Sequence, residues 1–362
     1  MYKAVALAAL VLTVAYYLAP IRVDDLLHIV TDSVHPVNPF QSAMAAPISR
    51  HVVKKLLAIE TAEGEGALVR RSIGSMNLRN LTPFLMLDHF HVSKGAGFPD
   101  HPHRGQATVT YMLEGSSRHE DSAGHKGTIE TGGVQWMCAG RGIIHAEMPV
   151  QGPGIPEPRG LQLWVDLPKQ FKMVEPSYQE LGPAEIPAAF PEGPDGGVKI
   201  KVISGKSHGV ESPVRPLGGC WFFHVIFDKK DNSIFQDIPA GWTSFIYTFK
   251  GSLKVGEEPN AHEAFHTLVL SGDANETGVQ LTALEDNTEA VVIAGEPLEQ
   301  TVVQYGPFVM TSRQEIQQTL LDCKTRIREH PILALTDVLL ADQFGKNGFE
   351  KAHTWKSLIG GR

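Results

Sequence analysis

From His51 to about Tyr305 the chain reads as short apolar or alternating runs, among them "ATVTYMLEG", "VQWMC", "GIIHAEM", "LQLWVDL", "VKIKVIS", "CWFFHVIFD", "TSFIYTFKGSLKVG" and "EAVVIAG". Each holds β-branched or aromatic residues and is closed by Gly, Pro, Asp or Ser, the punctuation of strands and tight turns. Runs of this length and spacing point to an all-β sandwich or barrel. The expected helix is C-terminal: Ser312 with Glu315 makes a capping box, and Ile316, Leu320, Cys323 and Ile327 follow at helical spacing.

The length, 362 residues, admits two domains, and a weak internal repeat suggests how they divide. "TVTYMLEGS" at 108–116 aligns with "SFIYTFKGS" at 244–252, sharing Tyr-x-x-x-Gly-Ser, and Ala139-Gly140 pairs with Ala294-Gly295 at a longer offset. The expected units are an apolar N-terminal segment and linker (1–48), a first barrel (49–190) and a second barrel with the terminal helix (191–362). Projected by these offsets, His101, His103 and His145 of the first unit fall on Asp237, Pro239 and Gln300 of the second, so only the first unit is expected to carry chemistry.

That chemistry rests on two pairs. Residues i and i+2 of a strand point to one face, so His101 with His103 in "FPDHPHRG", and His145 with Glu147 in "GIIHAEM", can each converge on a point. Two such pairs on neighbouring strands supply four ligands. Three imidazoles and a carboxylate without thiolate suit Fe(II), Ni, Mn, Cu or Zn, and the sequence does not choose among them. Alone, a His-x-His is common in surfaces and cores; the second pair on a glycine-flanked strand makes it a metal-site candidate. Glu147 also suits a general base. Trp136, Trp164 and Cys138 read most simply as core, while Met112, Leu113 and again Trp136 are candidates for an apolar pocket wall, and parity alone does not say which of them points inward. His89, His91, His119, His125, His262 and His266 lack the pairing and read as surface residues or as neighbours of the ligands.

Charge and cysteine usage bound the setting. A formal net charge of −8 with no long basic run argues against direct nucleic-acid binding. Cys138, Cys220 and Cys323 are far apart and odd in number, which fits a reducing compartment better than a disulfide framework. Against this stands the apolar run at 4–18, nearer in length to a signal-peptide core than to a membrane span. A cleaved signal, an anchor giving membrane contact, and a dispensable extension all remain open.

These motifs resemble the cupin superfamily and, more closely, the pirin family. "FPDHPHRG", "QWMCAGRGIIHAEMP", "GLQLWVDLP", "MVEPSYQEL", "PAGWTSFIYTFKG", "VVIAGEPL", "GPFVM" and "KNGFEKAHTWKS" all look like pirin segments, spread from about residue 50 to the C-terminus. The resemblance implies a bicupin of two jelly-roll (double-stranded β-helix) barrels. It implies one iron held by His101, His103, His145 and Glu147, a second barrel without metal, and a monomer. It also implies one of two roles. The first is a quercetin 2,3-dioxygenase acting on a flavonol-like molecule; the second is a redox-sensitive coregulator, nuclear or cytoplasmic, that acts through a transcription-factor protein. The chain departs from the family pattern at Gln106-Ala107, where Phe-Glu is usual, at Asp88-His89-Phe90, where Asp-Glu-Phe is usual, and in an extra segment near 324–344.

Overall fold

The computed structural model describes residues 47–329. The apolar run at 4–18, most of the extra segment near 324–344 and the "KNGFEKAHTWKS" motif lie outside the described residues. Among those described, no helix is long and apolar enough to cross a membrane.

The first barrel is built from β2 (Ile59–Glu63), β3 (Glu65–Arg71), β4 (Phe84–His103), β5 (Gln106–Glu114), β6 (Ser116–Asp121), β7 (Lys126–Glu130), β8 (Val134–Cys138), β9 (Ile143–Pro149), β10 (Arg159–Asp166) and β11 (Ser177–Leu181). A large antiparallel layer runs β11-β8-β5-β10-β4-β3-β2, and a smaller one runs β4-β9-β6-β7. The 20-residue β4 belongs to both layers. Its first half pairs with β10 and β3; past Gly95, at φ 83°, and a register shift between Phe98 and His101, its last residues pair with β9. A glycine suits that left-handed backbone, which lets the strand change layer. The crossing carries His101 and His103 into the smaller layer, opposite β9.

The second barrel repeats the plan, with a large layer that includes the strands Val198–Ser204, Cys220–Phe227, Thr243–Lys250, His266–Leu270 and Thr288–Gly295 and a small layer of Ser233–Asp237, Gly278–Ala283, Ser252–Val255 and His262–Glu263. The large layers meet face to face. Val109, Tyr111, Leu161, Leu163 and Val165 of the first pack with Phe222, Phe245, Tyr247, Val291 and Ile293 of the second, and Phe84 stands edge-on to Phe245 at 5.0 Å. With one face on this interface and the other inside the barrel, β5 and β8 are buried nearly throughout, so their burial does not alternate, although Gln106, Thr108 and Thr110 alternate with Ala107, Val109 and Tyr111 along β5. Each large apolar side chain at the interface contributes about 1.5–3 kcal/mol of burial.

The repeat tyrosines occupy matching places. Tyr111 OH lies 2.9 Å from His224 Nδ1, and Tyr247 OH lies 3.1 Å from His89 Nδ1, two reciprocal contacts across the interface. The second pairing of the repeat does not hold. Gly278–Ala283 pairs with Ser233–Asp237 as β9 pairs with β4, so it is the counterpart of β9, and its buried residues Val279 and Leu281 are apolar. Gln300 sits outside that barrel, donating to Asp166 and the Leu167 carbonyl. Asp237 is exposed, and the buried positions beside it are Gln236 and Ile238.

The ends of the chain cross between barrels. β1 (Val52–Leu57) pairs with His266–Leu270 of the second barrel. In return, the Phe308–Met310 strand and helix α1 (Arg313–Glu329) lie against the first: Arg104 pairs with Asp322 at 2.7 Å, and the buried Lys172 Nζ donates to Gly105 O, Val309 O and Asp166. Gly105 has φ 75°, and a Cβ there would run into Val309 O, so the close approach depends on glycine. The capping box forms as expected: Ser312 Oγ accepts from Glu315 N, and the Glu315 carboxylate turns back over the helix start, where it also accepts from Thr311 N and Oγ1. Ile316, Leu320 and Cys323 pack on Val303, Tyr305, Phe308 and Met310.

Candidate metal centre

β4 and β9 are antiparallel neighbours in register at His101 and His145, and His103 follows one strand period beyond. The three rings converge. One ligand atom from each of His101, His103 and His145 lies within 4.8 Å of the others, the one such group of three or more potential ligands among the described residues. All three are buried, His103 and His145 to 1% exposure.

Their ring nitrogens mark the centre as unfinished by protein alone. His103 Nε2 and both nitrogens of His145 are shielded from solvent without hydrogen-bond partners, whereas His101 Nδ1 is tied to the Pro99 carbonyl at 2.8 Å. Buried polar atoms are almost always paired, so a cluster of bare imidazole nitrogens fits a divalent ion. Burial first, then the charge of the neighbouring His145, brings His101 down to about 4, with Glu147 and the hydrogen bond to the Pro99 carbonyl opposing that shift. Burial first, then the charge of His119, brings His145 to about 3, and burial likewise holds His103 well below the usual histidine range. The rings are therefore neutral at physiological pH, the form that ligates metal.

Glu147 enters the barrel beside them but outside this trio. It is 5% exposed, and its two oxygens are taken from the opposite layer: Thr110 Oγ1 lies 2.8 Å from Oε1, and Gln162 Nε2 donates to Oε2 at 3.0 Å. Thr110 Oγ1 is also 2.9 Å from Gln162 Oε1. One hydroxyl hydrogen serves one acceptor, and the carboxylate is the stronger.

Other residues around the centre fall differently from the sequence reading. Met112 packs inside the barrel with Phe90, Phe98 and Ile129, whereas Trp136 and Leu113 pack into the interface between the barrels, because they stand on the opposite face of β8 and β5. Trp164, expected as core, stands against the His103 ring with centroids 5.1 Å apart at 89°. Gln106 is fully buried, its Nε2 3.0 Å from His103 Nδ1 and 2.9 Å from Pro307 O. His119 is in register with Glu147 on β6 and pairs with Glu180 at 3.0 Å. Cys138 and Cys220 are buried thiols, each pushed up by burial. Thr110 and Gln162 escaped the sequence reading; the signal was strand parity on β5 and β10, whose alternate residues face inward.

Comparison with known proteins places this geometry. Residues 66–165 match the family described as Pirin, and residues 226–327 match the Pirin C-terminal cupin domain. Pirin of Mus musculus is 46% identical over 318 residues, 86% of this chain and 99% of the mouse protein. A pirin-like protein of Solanum lycopersicum is 45% identical over 312 residues, covering 85% of this chain and 96% of its own. Among solved structures, a quercetin 2,3-dioxygenase from Acinetobacter baumannii superposes with a TM-score of 0.70 at 29% identity, covering 77% of this chain and 98% of that one.

Proposed function

The chain belongs to the pirin family, and from that premise we propose that it is a metal-dependent bicupin oxygenase that opens flavonols in the manner of a quercetin 2,3-dioxygenase. The observation that carries this reading is the buried trio His101, His103 and His145, whose bare ring nitrogens have no protein partner. The likeness of the whole fold to a quercetin 2,3-dioxygenase supports the choice of substrate class.

The ion we propose is Fe(II), with Ni, Mn, Cu and Zn as alternatives; His101, His103 and His145 hold it and Glu147 is the fourth ligand. When bound, such an ion would polarise a substrate oxygen and exchange electrons with dioxygen. The protein's own part is to bind, orient and move a proton. Glu147 takes the proton of the flavonol hydroxyl, with Thr110 and Gln162 fixing where its carboxylate points. Met112, Phe90 and Phe98 offer an apolar wall for the flat rings. Both atoms of dioxygen enter the ring-opened ester, and one carbon leaves as carbon monoxide.

A second reading, an iron-binding coregulator in nucleus or cytoplasm that acts through protein partners, is kept by the likeness to mouse Pirin over 99% of its length. Oxygen uptake separates the two. Iron-loaded full-length protein given quercetin is expected to consume oxygen and release carbon monoxide; stoichiometric iron with no uptake would move the assignment to the second reading.

A further inference from the structure

Gln162 and Trp164 are alternate residues of β10 and share its inward face, the face opposite Leu161, Leu163 and Val165. Gln162 gives its amide N–H to Glu147. Trp164 has no such outlet: its Nε1 is shielded from solvent and meets no acceptor, although its ring stands edge-on to His103. An indole N–H only donates, so it cannot ligate a metal ion. A buried donor left unpaired costs on the order of 1–3 kcal/mol, so its place beside the centre calls for an acceptor that arrives with a ligand.

We propose that the Trp164 Nε1–H donates to an oxygen of the small molecule bound at the three-histidine centre, making Trp164 a ligand-positioning and specificity-determining residue. The ligand class it selects carries a second acceptor oxygen next to the one that meets the metal, as an α-hydroxyketone does. An analogue lacking that second oxygen strands the indole N–H again and is rejected. This inference rests on the metal-centre reading above.

The test uses the full chain loaded with zinc, a diamagnetic stand-in, and maltol, a small α-hydroxyketone that cannot turn over. With the indole nitrogens of the five tryptophans labelled with 15N, the Trp164 resonance is identified by its loss in Trp164→Phe. Its N–H proton is expected to shift downfield as maltol binds, saturating with the same Kd as the maltol absorbance change. Trp164→Phe, which keeps an aromatic ring, is expected to bind maltol about tenfold more weakly at unchanged zinc content. An unmoved Trp164 resonance during maltol binding overturns the inference and leaves the metal centre standing. Zinc-loaded wild type that binds no maltol would instead count against an exchangeable position on the metal, and against both readings. Should Trp164→Phe lose zinc, the wild-type resonance still decides.

Discussion

Thr110 and Glu147 face each other from opposite layers of the first barrel, the threonine hydroxyl 2.8 Å from the carboxylate Oε1. Neither residue is near the other in sequence, and the contact exists only because β5 and β9 close the barrel. Replacing Thr110 by Val keeps the shape and strands a buried carboxylate oxygen. The expected loss is about 1–3 kcal/mol in chemical denaturation of the metal-free protein; an unchanged midpoint would show that the hydroxyl does not hold Glu147.

Lys172 and Asp166 form a pair 2.6 Å apart with both side chains almost fully buried, and the lysine also ties Gly105 O to Val309 O. Lys172→Met leaves Asp166 uncompensated and frees the C-terminal segment. Removing one partner of a buried pair typically costs about 3–5 kcal/mol. Lys172→Met combined with Asp166→Asn should recover much of that loss, because the stranded charge is gone. A double variant no more stable than the single one would assign the loss to the carbonyl contacts.

His89 gives the clearest dependence on pH. Burial first, then the charges of Arg70 and Arg159, lowers it to about 4. An unfolded histidine titrates near 6.5. Between those values the unfolded chain binds a proton that the folded protein refuses, so stability is lost as pH falls from about 6.5 to about 4, at up to ~1.4 kcal/mol per pH unit. Denaturation of His89→Gln across this window should show a slope shallower by about one proton. Parallel slopes for variant and wild type would place the titrating groups elsewhere.

Much of the architecture was legible in the sequence, because strand runs bounded by glycine and a 3.6-residue apolar period express local geometry. The His-x-His and His-x-Glu pairs were legible for the same reason: a period of two fixes one face. What the period cannot fix is which face is inside, and so Leu113 reads as pocket wall when it packs between the barrels, and Trp136 reads both as core and as pocket wall when only the core reading holds. Registration over long spans was also out of reach. Ala294-Gly295 resembles Ala139-Gly140 in sequence but ends the strand Thr288–Gly295, whereas Ala139-Gly140 follows β8 and leads into β9. The exchange of chain ends, β1 outward to the second barrel and α1 back to the first, depends on packing between distant segments and leaves no local signature.

The most direct measurement is the metal content of full-length protein loaded anaerobically with Fe(II) and desalted, wild type beside His103→Ala and His145→Ala. Wild type is expected to keep one iron per chain and each variant nearly none, while all three remain folded by circular dichroism. A variant that keeps one iron per chain would contradict the assignment of the trio as the metal centre, and with it the oxygenase reading.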